Sequence, residues 1–438
     1  MSVAEVSRSG RVPRLVLTTA LAVGAVATLL GAQRDSRGVW MGVLDEHPAI
    51  AYATTPPSDA IAALNRRLEA GTATLTFEPG SGYLRSVLAA LDIPPASQML
   101  VLSRTGVQRM VTSPANPRAL FYNEQTAVGF IRRSPFLELI AQDPEQGAVF
   151  YTLDQRATDR PALSRQSGCV TCHVASATLE VPGFMTRSLT AGADGTLKLR
   201  LGSHDLIDHR TPFDRRWGGW FVTGTHGRST HLGNTVVDAG DVRRSLVPTG
   251  AQQALSLEGA VDLAGYPVAT SDVVALAVFD HQTRALNLLT RLGWEARVAA
   301  HEGRLPLETP VVTSTLADLV DYLLFVDEAP MPGGLGGQSG FAEWFSSRGP
   351  KDAQGRTLHA LDLTTRLMRY PLSYTIESPA FAALPDAIRA AVYQGLARVL
   401  VTGDGAPKYA HLSADDRRAV VEILRATTPA ASPYLRGR

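Results

Sequence analysis

The run Ala148–His173 reads AVFYTLDQRATDRPALSRQSGCVTCH, and its two ends divide the chain. Its start, Ala148 to Leu153, is a short β-rich apolar run preceded by the turn formers Asp143-Pro144, which is the pattern of a strand. Its end is Cys169-Val170-Thr171-Cys172-His173, and these are the only two cysteines in 438 residues. Upstream, Met99 to Leu102, Ala119 to Tyr122 and Val128 to Ile131 repeat the strand pattern, separated by Ser113-Pro114 and Asn116-Pro117. These runs predict a small antiparallel sheet.

Downstream the periodicity changes to that of helices. Ile61 to Ala70 already reads as one short amphipathic helix before the sheet. After the cysteines come a short helical stretch, Val174 to Leu179, stopped by Pro182-Gly183, and two expected strands, Thr196 to Leu201 and Gly219 to Thr225. Asp272 to Val298 predicts a long helix with Ser271 as its N-cap. Leu316 to Phe325, Pro385 to Leu400 and Ser413 to Arg425 predict three more, the last capped by Ser413 with acidic residues behind it. Ala329 to Gly340 is a Gly/Pro loop without the glycine spacing of a dinucleotide fingerprint. The expected class is α+β: an N-terminal antiparallel β lobe (36–160), an irregular β/loop segment around the cysteines (161–260) and a mainly helical C-terminal region (261–438).

Composition narrows the function without naming it. The chain is 45% hydrophobic and 19% charged with a net charge of +1, so no overall field draws it to nucleic acid. Arg8, Arg11 and Arg14 precede the uncharged stretch Leu15 to Ala32. Positive charge before an apolar run of this length marks residues 1–35 as a signal or membrane anchor, with the body on the periplasmic side. A cleavage site after Ala32 would put Leu30 where a small residue is preferred, which favours an uncleaved anchor; the alternative is a cleaved signal peptide and a soluble periplasmic body.

Cys-x-x-Cys-His is the spacing at which a c-type haem is attached. Each thiol can add across a haem vinyl group to form a thioether, and the adjacent histidine supplies an axial nitrogen to the iron. A thioredoxin-like pair would need a βαβ context, a structural zinc site would need two further ligands, and a disulfide of so short a span would stabilise little. One covalent haem c, held by Cys169, Cys172 and His173, is therefore the expected cofactor.

Several longer runs carry a second signal: VFYTLDQ (Val149–Gln155), DHRTPFDRRWGGWFVTGTHG (Asp208–Gly227), HLGN (His231–Asn234) and RYPLSY (Arg369–Tyr374). With the single CxxCH they resemble a group of large exported bacterial proteins described as cytochrome c domain-containing. The resemblance implies haem binding and electron transfer and supplies no substrate. Members often carry methionine in the second position of the HLGN run, where this chain has Leu232, and they vary near Met185.

The second axial face decides between functions. His226, His231, His209 and Met185 are the candidate sixth ligands, with His204 a weaker one; five of the ten histidines fall between 173 and 231. Bis-histidine ligation lowers the potential relative to His/Met ligation, whereas an open face would admit small ligands. Arg210 and Arg216, with Arg215, could pair with the haem propionates, or form salt bridges with Asp205, Asp208 or Asp214. Trp217 and Trp220 could pack on the porphyrin edge or serve the core.

The sequence thus predicts an exported monohaem electron carrier that meets a redox partner protein or a membrane electron-transfer complex. The alternatives are a haem-dependent oxidoreductase of peroxidase type, using His209, His226 or an arginine in proton transfer or charge stabilisation, and an extracytoplasmic haem sensor.

Overall fold

Period-two alternation builds the sheet. In Phe136–Asp143, Leu137, Leu139 and Ala141 are buried while Phe136, Glu138 and Ile140 are half-buried, because successive strand side chains take opposite faces. The computed structural model describes residues 44–199, 206–237, 253–331, 333–403 and 406–436. The expected anchor and His204 lie outside the described residues. Among the described residues no helix is long and apolar enough to cross a membrane.

The fold is α+β. Six strands, β1 (Met99–Val101), β2 (Arg118–Tyr122), β3 (Thr126–Phe130), β4 (Phe136–Asp143), β5 (Gly147–Asp154) and β6 (Ser164–Arg165), form one antiparallel sheet in sequential order. The longest pairing, β4 with β5, runs from Phe136↔Asp154 to Asp143↔Gly147. Its turn is closed by the Asp143 carboxylate, which accepts the Glu145 and Gln146 N–H groups at 2.9 Å. Strand β4 has no counterpart among the expected runs: Glu138 and Gln142 break its apolar character, and only the alternation betrays it.

One face of the sheet carries Ala119, Phe121, Val128, Leu137, Leu139, Val149, Tyr151 and Leu153, all buried. Helix α1 (Ala60–Glu69) packs on β4, and its N-cap, Asp59, accepts the Tyr151 hydroxyl at 2.6 Å. Helix α2 (Leu84–Ala90) follows it before the sheet begins. Each fully buried large apolar side chain contributes about 1.5–3 kcal/mol. That exceeds the ~1 kcal/mol of a helix cap, so burial rather than capping sets where these helices sit.

The other face turns toward the C-terminal region. Met99, Val101, Tyr122, Ala127, Ala148 and Phe150 share a core with the long helix α4 (Val273–His301), and the Tyr122 hydroxyl donates to the Ala275 carbonyl at 2.7 Å. Between sheet and α4 run α3 (Val170–His173) and a two-stranded ribbon, β7 (Thr190–Ala191) with β8 (Leu197–Leu199). Helix α4 is buried around nearly its whole circumference, polar Asp280, His281 and Asn287 included, as befits a helix central to a core. It packs on α5 (Pro310–Leu323), α6 (Phe341–Ser347) and α7 (Pro379–Ala382); α5 in turn meets α8 (Asp386–Leu400), and α8 meets α9 (Ala414–Thr427). Ser413 and Asp416 form a reciprocal capping box on α9. All these elements lie within one compact unit, Asp45–Arg438.

Two local expectations are corrected. The cap of α4 is Asp272, whose carboxylate accepts the Val274 and Ala275 N–H groups at 2.9 and 3.1 Å. Ser271 is engaged elsewhere: its hydroxyl accepts the Leu100 N–H and donates to the Phe221 carbonyl. Gly219 to Thr225 is not a strand. It makes single bridges to three partners in turn, Val101↔Trp220, Thr223↔Asp272 and Thr225↔Gly336. Gly219 and Gly224 have positive φ, which breaks any continuous ladder.

Candidate functional site

The CVTCH segment leaves the sheet at its last strand. After β6, the Gln166 N–H donates to the Phe150 carbonyl at 2.8 Å and its side-chain amide donates to Thr152 Oγ1 at 2.9 Å. A turn over Ser167–Cys169 then leads into α3. Cys169 is half-buried and Cys172 exposed, both as free thiols. A spacing of three on helical backbone puts the two sulfurs on one side. Burial, first, and then the charge of Glu138 raise the Cys169 pKa, so the group is a thiol at neutral pH.

His173 is held by a short reciprocal loop. Its carbonyl accepts the Gly183 N–H at 3.1 Å and the Thr178 hydroxyl at 3.0 Å. Its ring Nδ1 lies 2.9 Å from the Gly183 carbonyl oxygen. A carbonyl can only accept, so Nδ1 carries the proton and Nε2 keeps its lone pair. Burial lowers the His173 pKa; the Gly183 hydrogen bond opposes it, Arg118 and Arg187 reinforce it, and Glu138 opposes it again. The ring is therefore a neutral imidazole, the form that binds a metal. The Phe150 ring packs against it with centroids 4.8 Å apart.

The loop behind His173 is fixed from α4. The Asn287 amide accepts the Phe184 N–H at 3.0 Å and donates to the Phe184 carbonyl at 2.7 Å. A Cβ on Gly183 would stand 2.3 Å from Asn287 Oδ1, which is why glycine occupies that position.

The residues present fit a c-type haem. Two free thiols, half-buried Cys169 at the N-cap of α3 and exposed Cys172 within it, stand beside a ligand-ready imidazole at the end of the same short helix, and Cys169 and Val170 pack against the core.

The candidate sixth ligands occupy three places. Met185 is half-buried between Phe184 and Thr186, and Thr186 Oγ1 lies 3.5 Å from Thr283 Oγ1 on α4. His226 and His231 pack edge to face, centroids 4.7 Å apart, and both are buried. His226 Nδ1 donates to the Ser229 carbonyl at 2.6 Å, leaving a buried Nε2 without a partner. His231 Nδ1 accepts the Gly233 N–H at 3.1 Å; burial and then His226 push its pKa down to about 4. His209 lies against α4, its Nδ1 2.8 Å from His281 Nδ1 and its buried Nε2 without a partner.

Arg210 is gripped by Asp208, Nη2 to Oδ2 at 2.6 Å. Arg216 is fully enclosed: Nε donates to the Thr211 carbonyl at 2.7 Å, Nη2 to the His209 carbonyl at 2.8 Å, and Nη1 lies 3.7 Å from Asp280. Trp217 is fully buried and donates its indole N–H to Asp280 at 2.9 Å. Burial raises the Asp280 pKa to about 7 against the pull of Arg216 and Trp217. Trp220 donates its indole N–H to the Arg187 carbonyl at 2.7 Å.

No protein-family model, curated protein or solved structure matches the chain. Among the described residues no group of three or more His, Cys, Asp or Glu side chains is placed to hold a metal.

Several residues of this site carry little sequence signal. Gly183 and Phe184 act through backbone atoms. Asn287 reaches the loop across 103 residues of chain. Phe150 and Glu138 could be placed on one face only by the alternation of β4 and β5, paired as Glu138↔Thr152 and Ile140↔Phe150.

Proposed function

We propose that this protein is an exported monohaem c-type cytochrome that carries single electrons. Cys169 and Cys172 would bind the porphyrin covalently and His173 would ligate its iron. The observation that carries the reading is the His173 Nδ1–Gly183 carbonyl hydrogen bond. Such an outer-shell partner fixes the ring and raises its basicity. When bound, the haem supplies a one-electron couple whose potential depends on axial ligation, burial and neighbouring charge.

The chain's own residues have distinct tasks in this reading. Gly183 orients the imidazole; Asn287 holds Gly183 and Phe184; Phe150 supports the ring's flank. His226, His231, His209 and Met185 remain the candidates for the second axial position. The partner is a redox protein or a membrane electron-transfer complex, met on the periplasmic side. The resemblance to exported single-CxxCH proteins supports the same reading.

Protein made in a host that matures c-type cytochromes should carry the mass of one haem after denaturation, and Cys172→Ser should not retain the normal two-link product. An unmodified mass with both thiols open to alkylation would overturn the proposal. Optical and EPR spectra then separate the uses of the haem. Low-spin ferric iron indifferent to cyanide supports a carrier; high-spin iron that binds cyanide rapidly replaces it with an oxidoreductase or sensor.

A further inference from the structure

We infer that the cavity beside His209 binds one water molecule, held by His209, Arg216 and Glu328, and that this water withdraws His209 from the candidate iron ligands. The water site stands apart from the haem reading; only the withdrawal of His209 rests on that reading.

The cavity lies against α4 at Ala277. His209, Arg216 and Glu328 line it together with apolar Phe213, Met331 and Leu367. Its free space is about 10 Å³, which admits one water and no larger ligand. An apolar hole stays dry, whereas a buried water is retained where about two to four polar partners meet it. Here three polar side chains converge.

Each of the three has an unused group. His209 is 2% exposed. Its Nδ1 is taken by His281 Nδ1 at 2.8 Å, and its Nε2 is buried without a partner. Tyr322 and Phe325 fix the ring, with centroids 4.2 and 4.9 Å away. Arg216 spends Nε and Nη2 on the Thr211 and His209 carbonyls. Its Nη1 stands 3.7 Å from Asp280 Oδ2, beyond hydrogen-bond reach. Glu328 accepts the Leu367 N–H at 2.8 Å through Oε1 and makes no bond through Oε2 among the described residues. A water accepts from a guanidinium and donates to a carboxylate, and it still has a group left for His209 Nε2. Leaving that buried nitrogen unbonded is costly.

The walls are tied to one another. The Ala329 N–H donates to the His209 carbonyl at 3.0 Å, and the Arg216 guanidinium carbon lies 4.3 Å from the Phe213 ring centroid. The water therefore ends the hydrogen-bonded series that runs from His209 through His281 to Ser373.

The consequence for the haem comes from counting nitrogens. With Nδ1 on His281 and Nε2 on water, His209 has none left for an iron. Space that admits one water also has no room for a porphyrin. His226, His231 and Met185 then remain for the second axial position.

The test uses full-length matured protein. A crystal structure that resolves internal waters should show one bonded to His209 Nε2 and to Arg216 or Glu328. Magnetic relaxation dispersion of water oxygen counts long-lived internal waters in solution. Ala329→Val fills the cavity and keeps the backbone bond to His209, so it should lose about one such water relative to wild type. If that variant does not fold, the wild-type crystal structure decides. An absence of water density at Nε2 overturns the site. So does Nε2 closing directly on the carbonyl of Val326, a backbone acceptor that bears on the ring. For the iron, His209→Leu should keep the ferric spin state and optical spectrum of wild type. A changed spin state in folded His209→Leu overturns the withdrawal of His209. Protein that carries no haem overturns the haem reading and the withdrawal with it, while the two water measurements still decide the site.

Discussion

His209 and His281 meet nitrogen to nitrogen, Nδ1 to Nδ1 at 2.8 Å, at the centre of the core. One must donate and the other accept, so the pair holds a single proton at that position. His281 Nε2 continues to Ser373 Oγ at 2.7 Å, and Ser373 to Thr375 Oγ1 at 2.8 Å. Runs that lie far apart in sequence, Asp208–Gly227 and Arg369–Tyr374, thus converge on Asp280-His281-Gln282 of α4. Burial, chiefly, keeps both imidazoles neutral.

Breaking this chain should be expensive. His281→Leu leaves the buried His209 Nδ1 without its partner and the Ser373 hydroxyl with Thr375 alone, and a cost of about 2–3 kcal/mol is expected in urea unfolding. A double-mutant cycle with His209→Leu should return a coupling of about 1–2 kcal/mol. Additive single costs would show that the two rings do not share a proton.

His231 makes stability depend on pH. Its folded pKa, about 4, lies below the ordinary 6.5 because of burial and then His226. Above pH 6.5 neither state binds the proton and the term is absent. As pH falls from 6.5 toward 4 the unfolded chain takes up a proton that the native state refuses, so stability is lost. By pH 5 the loss from this residue is about 2 kcal/mol. His231→Asn should therefore narrow the gap between unfolding free energies at pH 7 and pH 5 by about that amount; an unchanged gap would contradict the assignment.

Asp272 is more than a helix cap. Besides the first turn of α4, its Oδ2 accepts the Gln338 N–H at 2.8 Å, the Ser339 N–H at 3.0 Å and the Ser339 hydroxyl at 2.8 Å. An ordinary cap is worth about 1 kcal/mol. Asp272→Ala should cost about 2–3 kcal/mol because it also frees the loop before α6. Asp272→Asn, which retains one acceptor, should cost less, and thermal unfolding of the two variants compares them directly.

Gly183→Ala drives a methyl group into Asn287 Oδ1. Overpacking of this kind costs about 1–3 kcal/mol, and a lower melting temperature should report it. Adding Asn287→Ala restores the space but removes both hydrogen bonds to Phe184, so the double variant should regain only part of the loss. Full recovery would mean that Asn287 serves as filler and not as the clamp on the loop.

The legible parts of this chain are those encoded by local periodicity. Helices α1, α4, α8 and α9 and strands β1, β2, β3 and β5 lie within a few residues of their expected places, because apolar spacing and capping residues are local. Strand β4 is hidden by Glu138, whose half-exposed face tolerates charge. Ser271 is displaced as a cap by its neighbour because its hydroxyl is needed between Leu100 and Phe221. At the candidate site Cys169, Cys172 and His173 are written in one motif. Gly183 and Asn287 are not, since they act through a carbonyl and through a contact 103 residues distant.

The sequential strand order has a consequence for the order of assembly. Every sheet pairing joins neighbours in sequence, and such local pairings close at small entropic cost. The Asn287 clamp spans 103 residues and must wait for α4. A chain folding from its N-terminus would therefore display the cysteine helix on a formed sheet while the rear of that helix is still open. Both thiols would then stand on a finished sheet before the last third of the polypeptide shuts the door behind them.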